Sequence, residues 1–140
     1  MTRTSQATKL EAIEKILDGV QHPNTVYIWL DQTYKDSELV LQDILACCNP
    51  EGEYFWPQLK PNFPKINKRE HTLYFDNGSE IWFRSANNPS HLRGFRVHGV
   101  VSSTDINDDA LVSAQTCLTQ TQGWLVLLND TRTDSERAVG

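Results

Sequence analysis

The chain lacks most of what would mark it as secreted, membrane-spanning or metal-holding. Its 140 residues include three cysteines, an odd number with no Cys-x-x-Cys spacing, and the adjacent Cys47 and Cys48 are poorly placed to bridge each other. That pattern argues against a disulfide framework and a thiolate metal site, and a reducing cytosol is the expected compartment. No charged-then-apolar leader opens the sequence, and no run approaches the roughly 18 apolar residues of a membrane span. Positive charge is in deficit: 13 Lys and Arg face 18 Asp and Glu, a formal net charge of −5. Binding to nucleic acid draws most of its free energy from basic side chains on phosphates, so wholesale coating of DNA is excluded and only a local basic patch stays open. Internal repeats and low-complexity tracts are also missing.

What is present fits one ordinary globular domain. Hydrophobic residues make up 39% and charged residues 22%, enough of both to bury a core and solvate a surface. Over 8–20, Leu10, Ile13, Ile16 and Leu17 recur at helical spacing before Gly19. "TVYIWL" (25–30) is short, apolar and rich in β-branched and aromatic residues, as a buried strand is. From 31 to 48, Leu39, Leu41, Ile44 and Leu45 carry a second helical period, closed by Asn49 and Pro50.

Between 49 and 70, Pro50, Pro57, Pro61 and Pro64 rule out long regular elements, and an irregular connection tucks Phe55, Trp56 and Phe63 against the body. "HTLYFDNGSEIWFRS" (71–85) alternates on both sides of Asp76-Asn77-Gly78, and Asn-Gly tolerates the positive φ of a tight hairpin turn. A loop at 87–94, a strand over 95–103, a helix over 108–122 and a last buried strand at 123–129 complete the pass.

Strands alternating with helices predict an α/β fold. Its sheet is mainly parallel, helices cover both faces, and the hairpin is an antiparallel excursion. In such sheets ligands sit beyond the carboxyl ends of the strands, here the tips after Leu30, Val101 and Leu128.

The order of these segments resembles a known family. A helix, a strand followed by Gln32-Thr33-Tyr34, the stretch "DNGSEIWFRSANNPSHLRG" (76–94), then "FRVHGVV" (95–101) and "GWLVLLNDT" (123–131) is similar to the ATPase domain of the phage terminase large subunit, the motor that packages viral DNA. The resemblance covers roughly residues 3 to 132 and is most specific over 76–101. It implies a P-loop NTPase-like domain over 1–132, followed by a flexible tail at 133–140.

In that family the strand matching 97–102 ends in an Asp-Glu pair, which supports Mg²⁺ and orients the attacking water. The matching positions here are Ser103 and Thr104, hydroxyls that supply neither negative charge nor a base near neutral pH. Asp105 reaches the site only through a register change. A P-loop needs a Gly-rich turn whose backbone N–H groups face the phosphates, followed by Lys and Ser or Thr. "MTRTSQATKL" contains no glycine; Lys9 falls at the family lysine, and Leu10 falls where the Mg²⁺-binding hydroxyl belongs. Asn129-Asp130-Thr131 stands at the third tip, where the family has a Thr-Pro-like motif.

The resemblance therefore implies a viral or proviral scaffold with no catalytic residue, no metal and no cofactor, in the host cell cytoplasm. It would act by binding a protein: a packaging motor, a virion component or a host component. The alternatives are a diverged or split packaging ATPase, completed by a partner chain and using ATP and Mg²⁺, and an interaction scaffold unrelated to packaging. Arg84, Arg93, Arg96 and Trp56 are candidate contacts for DNA or a partner, with DNA the weaker of the two. A homo-oligomer stays open, and no membrane role is expected.

Lys60, Lys65, Lys68 and Arg69 read as solvated loop charges, and His91 and His98 as lone histidines. Trp29, Trp82 and Trp124 read as core, and Cys47 and Cys48 as packing residues.

Overall fold

A computed structural model describes residues 3–31, 33–49, 51–52, 64–85, 96–103, 108–119 and 121–128. The elements in chain order are β1 (Arg3–Ala7), α1 (Lys9–Gly19), β2 (Val26–Asp31), α2 (Tyr34–Cys48), β3 (Lys65–Asn67), β4 (Thr72–Tyr74), β5 (Glu80–Ser85), β6 (Gly99–Ser102), α3 (Asp108–Leu118) and β7 (Trp124–Leu128). They form one seven-stranded sheet in the order β1-β7-β6-β2-β5-β4-β3. The five strands from β1 to β5 in that order pair in parallel, while β4 and β3 are antiparallel additions at one edge.

β2 is the central strand and is buried on both sides. Tyr27 and Trp29 point into a core built with α1 and α2, whereas Ile28 and Leu30 point into a second core built with α3. The period-2 alternation of a strand makes this division, and it puts helices on both faces. α1 buries Ala12, Ile13, Ile16 and Leu17, and α2 buries Val40, Leu41, Ile44 and Cys48.

Two residues depart from the periods read in the sequence. Leu10 is 63% exposed and Leu39 is 67% exposed. Leu39 lies one residue before Val40, about 100° around the helix, so the buried stripe runs through Val40 and leaves Leu39 outside it.

The hairpin expected at 71–85 forms, with β4 and β5 pairing from Thr72↔Trp82 to Tyr74↔Glu80. Gly78 turns the chain at φ +88°, a region that favours glycine. The turn docks where α1 ends: Asn77 Nδ2 donates to Val20 O at 2.8 Å and Ser79 Oγ donates to His22 O at 2.6 Å.

Two strands lie outside the sequence expectations. β1 falls in polar "MTRTSQATKL", and β3 falls in the segment expected to be irregular throughout. Among the described residues both are edge strands, paired on one side, and neither needs an apolar run there.

The carboxyl ends of β1, β7, β6, β2 and β5 all lie at one end of the sheet. The chain leaves β1 and β2 through α1 and α2 toward one face and leaves β6 through α3 toward the other. A crevice between oppositely departing chains is where open α/β sheets hold ligands.

Candidate functional site

At the first tip, β1 ends at Ala7, α1 begins at Lys9, and Thr8 alone joins them. Thr8 is the N-cap and Glu11 completes a capping box. The Glu11 backbone N–H donates to Thr8 Oγ1 at 3.2 Å, and the Thr8 backbone N–H donates to Glu11 Oε1 at 3.1 Å. Hydrogen bonding from Thr8, its backbone N–H first, holds the Glu11 carboxyl below its ordinary range. The positive end of the helix, which in a phosphate cradle faces an external anion, here faces a carboxylate of the same chain. Lys9 is drawn away toward α2, its Nζ 2.7 Å from Asp43 Oδ2.

At the second tip, β6 ends at Ser102 and Ser103 follows it. Ser103 N–H donates to Leu30 O at 3.0 Å, extending the pairing with β2 by one step. Ser102 Oγ donates to Ser103 O at 3.0 Å, and Ser103 Oγ is buried without a hydrogen-bond partner among the described residues. Asp31 closes β2 one step beyond the Leu30↔Ser102 pair, and Ser85 faces it at the end of β5. The Asp31 carboxylate accepts from Trp29 Nε1 at 3.2 Å.

Asp31 is thus a carboxylate at a strand tip that the sequence reading passed over. Its signal was available: it is the first acidic residue after the apolar run and sits on the same strand face as Trp29, two residues back. Among the described residues, no three His, Cys, Asp or Glu side chains cluster closely enough to hold a metal ion. At the described parts of these tips the chain places a capped helix end, the hydroxyls of Ser102 and Ser103, and the Asp31 carboxylate.

Of the candidate contact residues, Arg84 and Arg96 are described, and they are separated. Arg84, near the carboxyl end of β5, donates from one guanidinium nitrogen to Glu70 O at 2.9 Å and Phe83 O at 3.1 Å, and its Cζ lies 5.0 Å from the Trp82 ring centroid. It braces the hairpin. Arg96 is exposed and precedes β6, at the opposite end of the sheet, so the structure does not bring it together with Arg84. Thr104, Asp105, Asn129, Arg93 and Trp56 lie outside the described residues, as do Lys60 and His91.

Trp29 is fully buried, as expected. Trp82 and Trp124 are only half-buried, and Trp124 stacks on Tyr27 at 5.7 Å. Burial pushes the Cys48 thiol up to about 12, so it stays protonated and unreactive near neutral pH.

His98 is built into the β2–β6–β7 seam. Its Nδ1 accepts from Val26 N–H at 3.1 Å, its N–H donates to Val26 O at 2.8 Å, and its O accepts from Trp124 N–H at 3.3 Å. Burial first, and the Arg96 charge second, hold the imidazole below its ordinary value of 6.5. An imidazole depressed in the fold contributes stability above the unfolded value, and that contribution is lost as pH falls through the folded value. Unfolding free energy is therefore expected to decline as pH falls below the ordinary imidazole value of 6.5. His98→Asn, which keeps an acceptor near the Nδ1 position, should flatten part of that decline. Parallel urea-midpoint profiles for the two proteins would show that His98 is not responsible.

No protein-family model matches the chain, and no curated protein is similar to it in sequence. Solved structures are similar in fold. The large terminase ATPase domain of Thermus phage P74-26 superposes with a TM-score of 0.70 over 93% of this chain and 60% of that one, at 15% identity. The large terminase of a thermophilic bacteriophage gives a TM-score of 0.66 over 91% of this chain and 33% of that one, at 6% identity. A further form of that bacteriophage enzyme, in complex with ADP, gives 0.64 over 90% of this chain.

The chain has the terminase ATPase fold. It spans 60% of the first of these domains and a third of the second protein. The α/β class with a mainly parallel sheet, and the terminase resemblance at the level of fold, are borne out. Among the described residues of this terminase-fold chain, no helix is long and apolar enough to cross a membrane.

Proposed function

We propose that this chain is a terminase-fold domain that does not hydrolyse ATP and acts by binding a protein in the setting of viral DNA packaging. The observation that carries the reading is the junction of β1 and α1. Thr8 alone connects them, and Glu11 places a carboxylate at the helix end. A triphosphate brought there would meet like charge where it needs free N–H donors, and electrostatic stabilisation of transferred phosphoryl groups commonly supplies several kcal/mol of barrier lowering. The hydroxyl of Ser103 at the β6 tip offers no charge in exchange. Nucleotide chemistry has thus lost its local support while the sheet and both cores persist, and a stable α/β surface of this kind suits recognition.

Asp31 favours a second reading, a packaging ATPase whose site is completed by another chain, because it leaves a carboxylate at the tip of β2. Calorimetry with ATP and Mg²⁺, and phosphate release by the purified chain, test the first reading. No association tighter than about 100 µM and no release above buffer is expected. Magnesium-dependent turnover by the isolated chain would overturn the proposal. Turnover that appears only with a fraction of infected cells and falls in Asp31→Asn would establish the second reading.

A further inference from the structure

A cavity of about 340 Å³ lies between α2, β3 and β5, within the range of sites that take small molecules, roughly 300–1,000 Å³. Its floor is apolar. Phe83 and Leu41 are buried members of the core beneath α2, and Ile66 of β3 lines the cavity with them. Ile66 is the register partner of the fully buried Leu73, so the two share a sheet face, yet Ile66 is 38% exposed. At β3 the core stops short and leaves an apolar wall facing the cavity.

Charge gathers at the rim. Lys35 comes from the first turn of α2 and Lys68 from the turn between β3 and β4, both exposed, and Glu38 is the carboxylate that lines the cavity with them. Two ammoniums against one carboxylate leave a net positive charge. Among the described residues neither ammonium is held in an ion pair.

The turn that carries Lys68 is fixed in place. His71 closes it, lines the cavity too, and has φ +52°, a left-handed conformation that a non-glycine residue adopts at a cost. The Phe83 N–H donating to His71 O at 2.8 Å, and the Arg84 guanidinium donating to Glu70 O at 2.9 Å, hold the turn against β5. Backbone strain of this kind collects at ligand clamps, where the surrounding structure over-determines it.

We propose that this cavity binds a small organic acid, its carboxylate between Lys35 and Lys68 and its apolar body on Leu41, Ile66 and Phe83. At about 30 Å³ per non-hydrogen atom, the share of a water molecule in the liquid, the space takes on the order of ten such atoms. One net positive charge matches one carboxylate, and the apolar floor gains from a body that leaves water. A DNA strand is the weaker occupant, since its phosphates gain from lysines on an open surface and nothing from a concave apolar floor. β7, β6 and β2 separate β5 from β1, so the inference stands apart from the reading of the β1–α1 junction.

The test uses the full chain with carbon-13-labelled methyl groups and phenylbutyrate as the probe. Acetate, the head without the body, and phenylbutyramide, the body without the charge, are the controls. Phenylbutyrate is expected to shift the Leu41 and Ile66 methyl signals saturably, with half-saturation below about 1 mM, and both controls should bind at least about tenfold more weakly. Lys35→Gln combined with Lys68→Gln should weaken phenylbutyrate by about tenfold and leave the amide as it was, because only the charged head uses the lysines. Ile66→Ser should weaken acid and amide alike. All three positions are exposed, and unchanged methyl signals away from the cavity show that the variants fold.

No saturable shift at Leu41 and Ile66, equal binding of acid and amide, or undiminished binding by the double variant would overturn the proposal. So would displacement of phenylbutyrate by a duplex oligonucleotide, which would assign the two lysines to phosphate contacts.

Discussion

Trp29→Ala is expected to lower the unfolding free energy by about 3–5 kcal/mol, as deletion of a large buried aromatic commonly does. A domain of this size holds roughly 5–15 kcal/mol in all, so the variant should be largely unfolded at moderate temperature or in low urea. Trp29 is fully buried in the central strand β2, and its register partners are Phe83 on β5 and Val101 on β6, both buried in the same core beneath α1 and α2. Backbone pairing on both sides fixes the strand, so the space left by the indole cannot close by moving β2.

The variant also removes the N–H that donates to Asp31 Oδ2. Trp29→Phe separates the two effects, since it keeps most of the ring and drops the donor; about 1–2 kcal/mol is expected for it. Urea midpoints at constant slope measure both variants. A loss below about 1.5 kcal/mol for Trp29→Ala would mean that the core refills the site and that β2 is not the rigid centre described.

How far the sequence reveals this molecule depends on where each element gets its structure. The hairpin is legible because Asn77-Gly78 specifies its turn locally, and β2 and β7 are legible because burial demands an apolar run. β1 is not. Its residues carry no period, and among the described residues it is the backbone of β7 that makes them a strand, so the information lies far along the chain in Trp124–Leu128.

The site divides in the same way. Ser103 is found because the family resemblance says where to look. The capping box is written plainly as Thr8-x-x-Glu11, but a search for glycine and lysine at the same place passes over it. Asp31 was hidden by a boundary: assigned to the start of a helix, it reads as an ordinary first-turn acid, whereas the strand continues through it.

Gly123→Ala is expected to cost about 3 kcal/mol, and Gly99→Ala about half of that, although the clash distances are alike. A Cβ on Gly123 would stand 2.4 Å from His98 O and 2.8 Å from His98 C, whereas one on Gly99 would stand 2.4 Å from ring atoms of Trp124. What must yield differs. The His98 carbonyl is backbone, held by its own N–H on Val26 O, by the Val26 N–H on its ring, and by the Trp124 N–H that the carbonyl accepts. It cannot move without opening the β2–β6–β7 seam.

Trp124 is a half-buried side chain that can rotate outward, giving up its stack on Tyr27 and the Lys15 contact above it. Replacing glycine with alanine also restricts the unfolded chain and returns about 0.4–1 kcal/mol in each case, so the observed losses are net of that gain. Near-ultraviolet circular dichroism distinguishes the routes, because only Gly99→Ala should disturb the Tyr27–Trp124 pair in the folded protein. Equal losses, or the reverse order, would show that the seam deforms as readily as an indole turns, and the parallel core would then be softer than its hydrogen bonding implies.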